Sequence, residues 1–98
     1  MIARIASFEG GDAEEMRRLN NEMLNDRTRD LPAGILRVIV LMKDDSRWSV
    51  ISFFDNEESA TAAEERFEQM GDEIPESVRG RRVSLESCEV AFDVEMVR

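Results

Sequence analysis

The sequence predicts an α+β protein, an antiparallel sheet with two helices on one of its faces. Three observations predict it. Residues 35–55 read as two apolar strands around a short polar turn. Two stretches with apolar residues at helical spacing, 13–24 and 57–70, each follow a strand-like stretch. The resulting order is strand, helix, strand, strand, helix, strand, two βαβ-like halves in tandem.

The central hairpin is the clearest element. Strands send alternate side chains to opposite faces. Leu36, Val38, Val40 and Met42 share one face of its first strand, and Ile35, Ile39 and Leu41 share the other with Arg37. In its second strand Trp48, Val50, Ser52 and Phe54 lie on one face and Ile51 and Phe53 on the other. Lys43, Asp44, Asp45 and Ser46 form the turn. A sheet wetted on one side alternates apolar and polar residues; this one is apolar on both sides, so both faces need cover.

The remaining elements follow in order. Ile2 to Phe8 reads as the first strand, with Arg4 on the face of Ile2, Ala6 and Phe8, and Gly10-Gly11 ends it. Asp12 caps the first helix with Glu15 three residues on. Met16, Leu19, Asn20 and Met23 form its stripe, Glu14 is placed to pair with Arg18, and the helix fades near Arg27 to Asp30. Asp55-Asn56 caps the second helix, whose stripe is Ala60, Ala63, Phe67 and Met70, with Gly71 as its C-terminal cap. The last strand spans about Arg82 to Val97. Its apolar residues change phase between Leu85 and Cys88, which implies a bulge or two halves with different surroundings.

The pattern matches a ferredoxin-like split βαβ protomer. Right-handed crossovers put both helices on one face of the sheet. The other face stays bare and apolar, more than a monomer usually exposes. A homodimer packed through that sheet face is the simplest remedy.

Composition narrows the function. The chain has 98 residues, one domain's worth, and is 42% hydrophobic and 36% charged, a globular balance. A net charge of −9 argues against nucleic acid or an anionic membrane as partner. The single cysteine, Cys88, makes no internal disulfide. No apolar run approaches the roughly 20 residues of a membrane span, and the N-terminus does not resemble a signal peptide, so a cytoplasmic location is expected. The absence of histidine removes the commonest general base, and no metal or cofactor is expected.

Several residues are candidates for a site. Trp48, Ser52 and Phe54 share one strand face and, with Phe67, Met16 and Met23, either line an apolar pocket or fill the core. Arg4 sits in a strand expected to be central, where an arginine needs a partner: a carboxylate or an anionic ligand. Arg37 belongs to an edge. Arg79, Arg81 and Arg82 cluster before the last strand, as a solvated loop, an anion site or a contact for the partner subunit's acidic helix. Glu57, Glu58, Glu64, Glu65 and Glu68 read as a solvated helix face, and Cys88 as a packed residue with nothing to activate it.

MIARIASFEG at the start, WSVISFFDNEESATAAEE in the middle and SLESCEVAFDVE at the end resemble the antibiotic biosynthesis monooxygenase (ABM)-like group of the dimeric α+β barrel superfamily. The resemblance spans nearly the whole chain. It implies a dimer whose two sheets form a barrel and whose last strand reaches across to the partner, which would account for the phase change after Leu85, and a cofactor-independent monooxygenase acting on a small aromatic or conjugated molecule. Heme degraders of the group use an Asn on the first strand, a Trp at the end of the third and a His on the second helix. This chain has Phe54 in place of that Trp, no Asn before Asn20 and no His, so that route is not expected. The alternative is a non-catalytic small-molecule-binding or structural homodimer. A cavity of a few hundred cubic ångströms reaching Arg4 or Ser52 favours the enzyme, and a filled core favours the alternative.

Overall fold

The computed structural model describes residues 1–25 and 31–96. Its elements are β1 (Ile2–Glu9), α1 (Ala13–Asn25), β2 (Ile35–Met42), β3 (Arg47–Phe54), α2 (Glu57–Asp72), a one-turn α3 (Glu76–Arg79) and β4 (Arg81–Glu89). The four strands form one antiparallel sheet in the order β2-β3-β1-β4. This is the ferredoxin-like arrangement that the sequence predicts, with β1 and β3 central and β2 and β4 at the edges.

Register assigns the two faces. Arg4 lies opposite Ser52, Ala6 opposite Val50 and Phe8 opposite Trp48. These residues face α2 and the start of α1. Phe54 is fully buried there with Ala60 and Ala63, flanked by Ile2, Ile35 and Phe67. Small alanines let α2 approach the sheet, and the Phe54 ring fills the space. Trp48 is 2% exposed. It packs under the β1–α1 turn, where a Cβ on Gly11 would collide with the indole ring and with the Val78 carbonyl. Only glycine fits so close an approach.

The caps explain the helix starts. The Glu15 N–H donates to Asp12 Oδ1 at 3.2 Å, and the Ser59 N–H to Asn56 Oδ1 at 2.8 Å. The other half of the α1 capping box is replaced, because the Asp12 N–H donates to the Val78 carbonyl at 2.9 Å. Arg18 pairs with Glu15 and Glu22, not with Glu14. The hydrogen bond from Arg18 holds the Glu15 carboxyl below its ordinary value. The side chains of Met23 and Leu24 and the fading of α1 near Arg27 to Asp30 lie outside the described residues.

Two boundaries differ from expectation. Gly71 does not end α2, which continues to Asp72 with Glu73 as C-cap in a right-handed conformation. β4 ends at Glu89, not near Val97. Glu89 pairs with Ile2, the first residue of β1, and past it the Val90 N–H donates to the Met1 carbonyl at 2.9 Å. A bulge does occur in β4, at Val83, where the register shifts between Ser7 and Phe8. The phase change lies further on and reflects two surroundings. Leu85 is opposite Ala6 on the helix face, whereas Cys88 is opposite Ala3 on the other face.

The hairpin turn is held by Asp44. It accepts from the Ser46 N–H at 3.0 Å and from Arg47 Nε at 2.6 Å. The Arg47 hydrogen bond, then that from Ser46, lowers the Asp44 carboxyl from 3.8 to about 2. A carboxyl lowered on folding stabilises the turn above its ordinary value, and that contribution fades as pH falls from 3.8 to about 2. An NMR titration of the Asp44 side chain is expected to show a midpoint near 2, and Arg47→Gln to move it up towards 3.8. A wild-type midpoint near 3.8 would contradict the turn geometry.

The face away from the helices is apolar at its centre. Ile39, Ile51 and Ile5 form one cross-strand row, and Phe53 and Ala3 lie in the next. Beyond β4 the chain exposes Phe92 by 83%, Val94 by 55% and Met96 by 78%. No helix among the described residues is long and apolar enough to cross a membrane.

Candidate functional site

A cleft of about 510 Å³ opens between α2 and the helix-bearing face of the sheet. Its floor follows β1 from Arg4 through Ala6 to Phe8, with Val50 of β3 alongside. Phe67, Glu68, Gly71 and Asp72 of α2 form one wall, and Arg79 and Arg82 close the side towards β4. Four strand steps put roughly 13 Å between the Arg4 and Phe8 ends.

Arg4 defines the inner end. It is 6% exposed. Its Nε donates to Glu64 Oε1 at 2.5 Å and its Nη2 to Glu64 Oε2 at 3.2 Å, a forked pair. Its guanidinium also lies over the Phe67 ring, 4.6 Å from the centroid. Phe67 in turn meets Phe54 edge to face at 6.0 Å and 75°. The cation is thus fixed on one side by a carboxylate and on another by a ring that is itself braced by the core.

Of the two partners that the sequence left open for Arg4, the structure supplies the carboxylate. It comes from a residue read as solvated: Glu64 is bound to Arg4, and Glu68 lines the cleft. The spacing held the signal, since Glu64 lies four residues after Ala60 and three before Phe67, on the edge of the buried stripe. Removing one member of a buried pair strands the other. Glu64→Ala is expected to cost about 2 kcal/mol, below the usual range for a buried pair because the Glu64 side chain is 37% exposed. Arg4→Met, which fills the same space without a charge, is expected to cost less. Denaturant unfolding of both variants checks the order, and a larger loss for Arg4→Met would contradict this reading.

Sequence-named residues divide between cleft and core. Arg4 and Phe67 line the cleft, whereas Trp48, Ser52 and Phe54 lie in the core beneath it. Met16 is also buried. Ser52 Oγ has no hydrogen-bond partner in the structure although the residue is 1% exposed; such a group costs about 1–3 kcal/mol. Arg37 is exposed on edge strand β2.

The arginine cluster is not simply a solvated loop. Arg81 pairs with Glu9 at 2.8 Å. Arg79 and Arg82 line the cleft, and Arg79 Nε is buried without an acceptor. The Arg79 side chain passes close to Gly71. A Cβ there would stand 3.4 Å from Arg79 Nη1 and 3.9 Å from Cδ. Exposed Cys88 lies on β4, away from this cleft.

Comparison with solved structures places the fold. The chain aligns with MhuD, a heme-degrader from Mycobacterium tuberculosis determined with two hemes in its active site, at 19% identity and TM-score 0.61, over 97% of this chain and 100% of that one. A variant of MhuD with two manganese protoporphyrin IX per active site aligns at 16% identity and the same TM-score of 0.61, over 98% and 100%. This chain shares the fold of those MhuD structures. No protein-family model and no curated protein matches the sequence. Among the described residues, the lining of the cleft contains no His, Cys, Tyr or Met.

Proposed function

We propose that the protein, as a homodimer, binds a small conjugated molecule in the cleft between α2 and the sheet and oxygenates it as a cofactor-independent monooxygenase. The cleft carries the reading: it has the volume of a small-molecule site, an apolar floor, an aromatic wall and a fixed cation at Arg4. In this chemistry the substrate supplies the electrons. A proton leaves an activated methylene carbon, the resulting delocalised carbanion reacts with dioxygen, and the carbon becomes a carbonyl while the second oxygen atom leaves as water. The protein's part is to exclude water, orient the ring on Phe67 and stabilise negative charge with its guanidinium groups. Glu68 and Asp72 are the proton acceptors on the cleft wall.

A second reading, binding without chemistry, is supported by the same wall. With no histidine in the chain, the available bases are two exposed helix carboxylates. Oxygen-electrode measurements on the purified protein with chelator present, across a panel of hydroxylated polycyclic aromatics, separate the two. The enzyme reading expects compound-dependent oxygen uptake and a product that has gained one oxygen and lost two hydrogens. Binding without uptake selects the second reading, and neither binding nor uptake overturns both.

The dimer is supported by the bare row of Ile5, Ile39 and Ile51 and by the exposed Phe92, Val94 and Met96. Apolar area of this kind is stabilised by removal from water, and a second copy offers the matching face.

A further inference from the structure

We propose that the cleft selects planar acids bearing a carboxylate, and that Arg79 and Arg82 are the residues that select them. This rests on the reading of the cleft as a small-molecule site and adds the class of molecule. On a protein of net charge −9, three guanidinium groups converge on one cleft. Arg4 is already engaged by Glu64. Arg79 and Arg82 make no side-chain hydrogen bond or ion pair with any described residue, although Glu68 and Asp72 line the same space.

The two ends of the cleft then differ in kind. Near Arg4 the cation is spent on Glu64 and Phe67, and the remaining surface is aromatic. Near Phe8, which lies opposite Arg82 in the sheet, unpaired cations stand beside an apolar floor. Arg79 Nε is shut off from water with no acceptor among the described residues. A planar acid answers both ends. Its ring lies along Ala6, Val50 and Phe67, and its carboxylate accepts from the forked donors of Arg79 and Arg82. Glu68 and Asp72 repel a carboxylate placed against α2, which leaves the β4 side as the place for it.

The test is calorimetric titration of the wild type with a naphthoate and with the isosteric, uncharged naphthamide. The naphthoate is expected to bind about tenfold or more tightly than the amide. Arg79→Gln and, separately, Arg82→Gln are expected to remove most of that preference, the naphthoate losing far more affinity than the amide. Arg82 is exposed, so its variant keeps the test open should Arg79→Gln fail to fold. Equal binding of acid and amide overturns the charge selection and leaves the cleft as a site for planar molecules. A preference for the acid that survives both substitutions also overturns it. Absence of binding by either compound overturns this proposal together with the reading of the cleft on which it rests.

Discussion

Phe54→Ala is expected to cost about 3–5 kcal/mol, the largest loss of any single truncation considered. Phe54 is fully buried at the end of β3, against Ala60 and Ala63 of α2. Those neighbours are already small, so α2 has no side chains to move into the space, and the cavity stays open. A loss of that size is a large part of the stability of a domain this small. The effect also reaches the cleft. The edge-to-face contact with Phe54 braces Phe67, and Phe67 braces Arg4. Chemical denaturation of Phe54→Ala checks the stability, and its affinity for a planar probe is expected to fall as well. A cost near 1 kcal/mol would mean that α2 collapses onto the sheet freely.

Ile51→Asp is expected to abolish the proposed dimer. Ile51 sits in central strand β3, between Ile5 and Ile39, at the middle of the bare face. A carboxylate there meets its own copy and an apolar surface across a two-fold interface, and an unpaired buried charge is among the costliest single changes. In the lone chain the same position is only half-buried, so the protomer is expected to retain its fold. Light scattering is expected to give twice the chain mass of 11.2 kDa for the wild type and the single mass for the variant. A wild type of single mass, or a variant that remains dimeric, would sink the sheet-to-sheet arrangement.

Much of the fold was legible because it depends on alternation and spacing. The faces of β3, the cap at Asn56 and the stripe of Ala60, Ala63 and Phe67 all follow from period alone. Boundaries were less legible. The alternation of Cys88, Val90, Phe92, Val94 and Met96 is that of a strand, yet β4 stops at Glu89, opposite Ile2 of β1, because alternation marks faces and does not show whether a neighbouring strand is there to pair. One turn of helix at α3, after Pro75, is too short to show a period. The site was half legible. Arg4 stood out because a cation in a central strand is costly. Glu64 did not, because it is one carboxylate in an acidic run and only the rotation of α2 over the sheet selects it. Arg79 and Arg82 were visible as a cluster, but their separation from Arg81 depends on α3 and on the bulge at Val83.

The central claim is that the space between α2 and the sheet is where a small molecule binds. Amide NMR mapping with uncharged naphthamide tests it most directly, and tests it apart from charge. The account predicts shifts confined to the cleft, at Ala6, Phe8, Val50, Phe67 and Gly71. Shifts centred instead on Ile5, Ile39 and Phe53 of the opposite face, or no shifts at saturating probe, would contradict it.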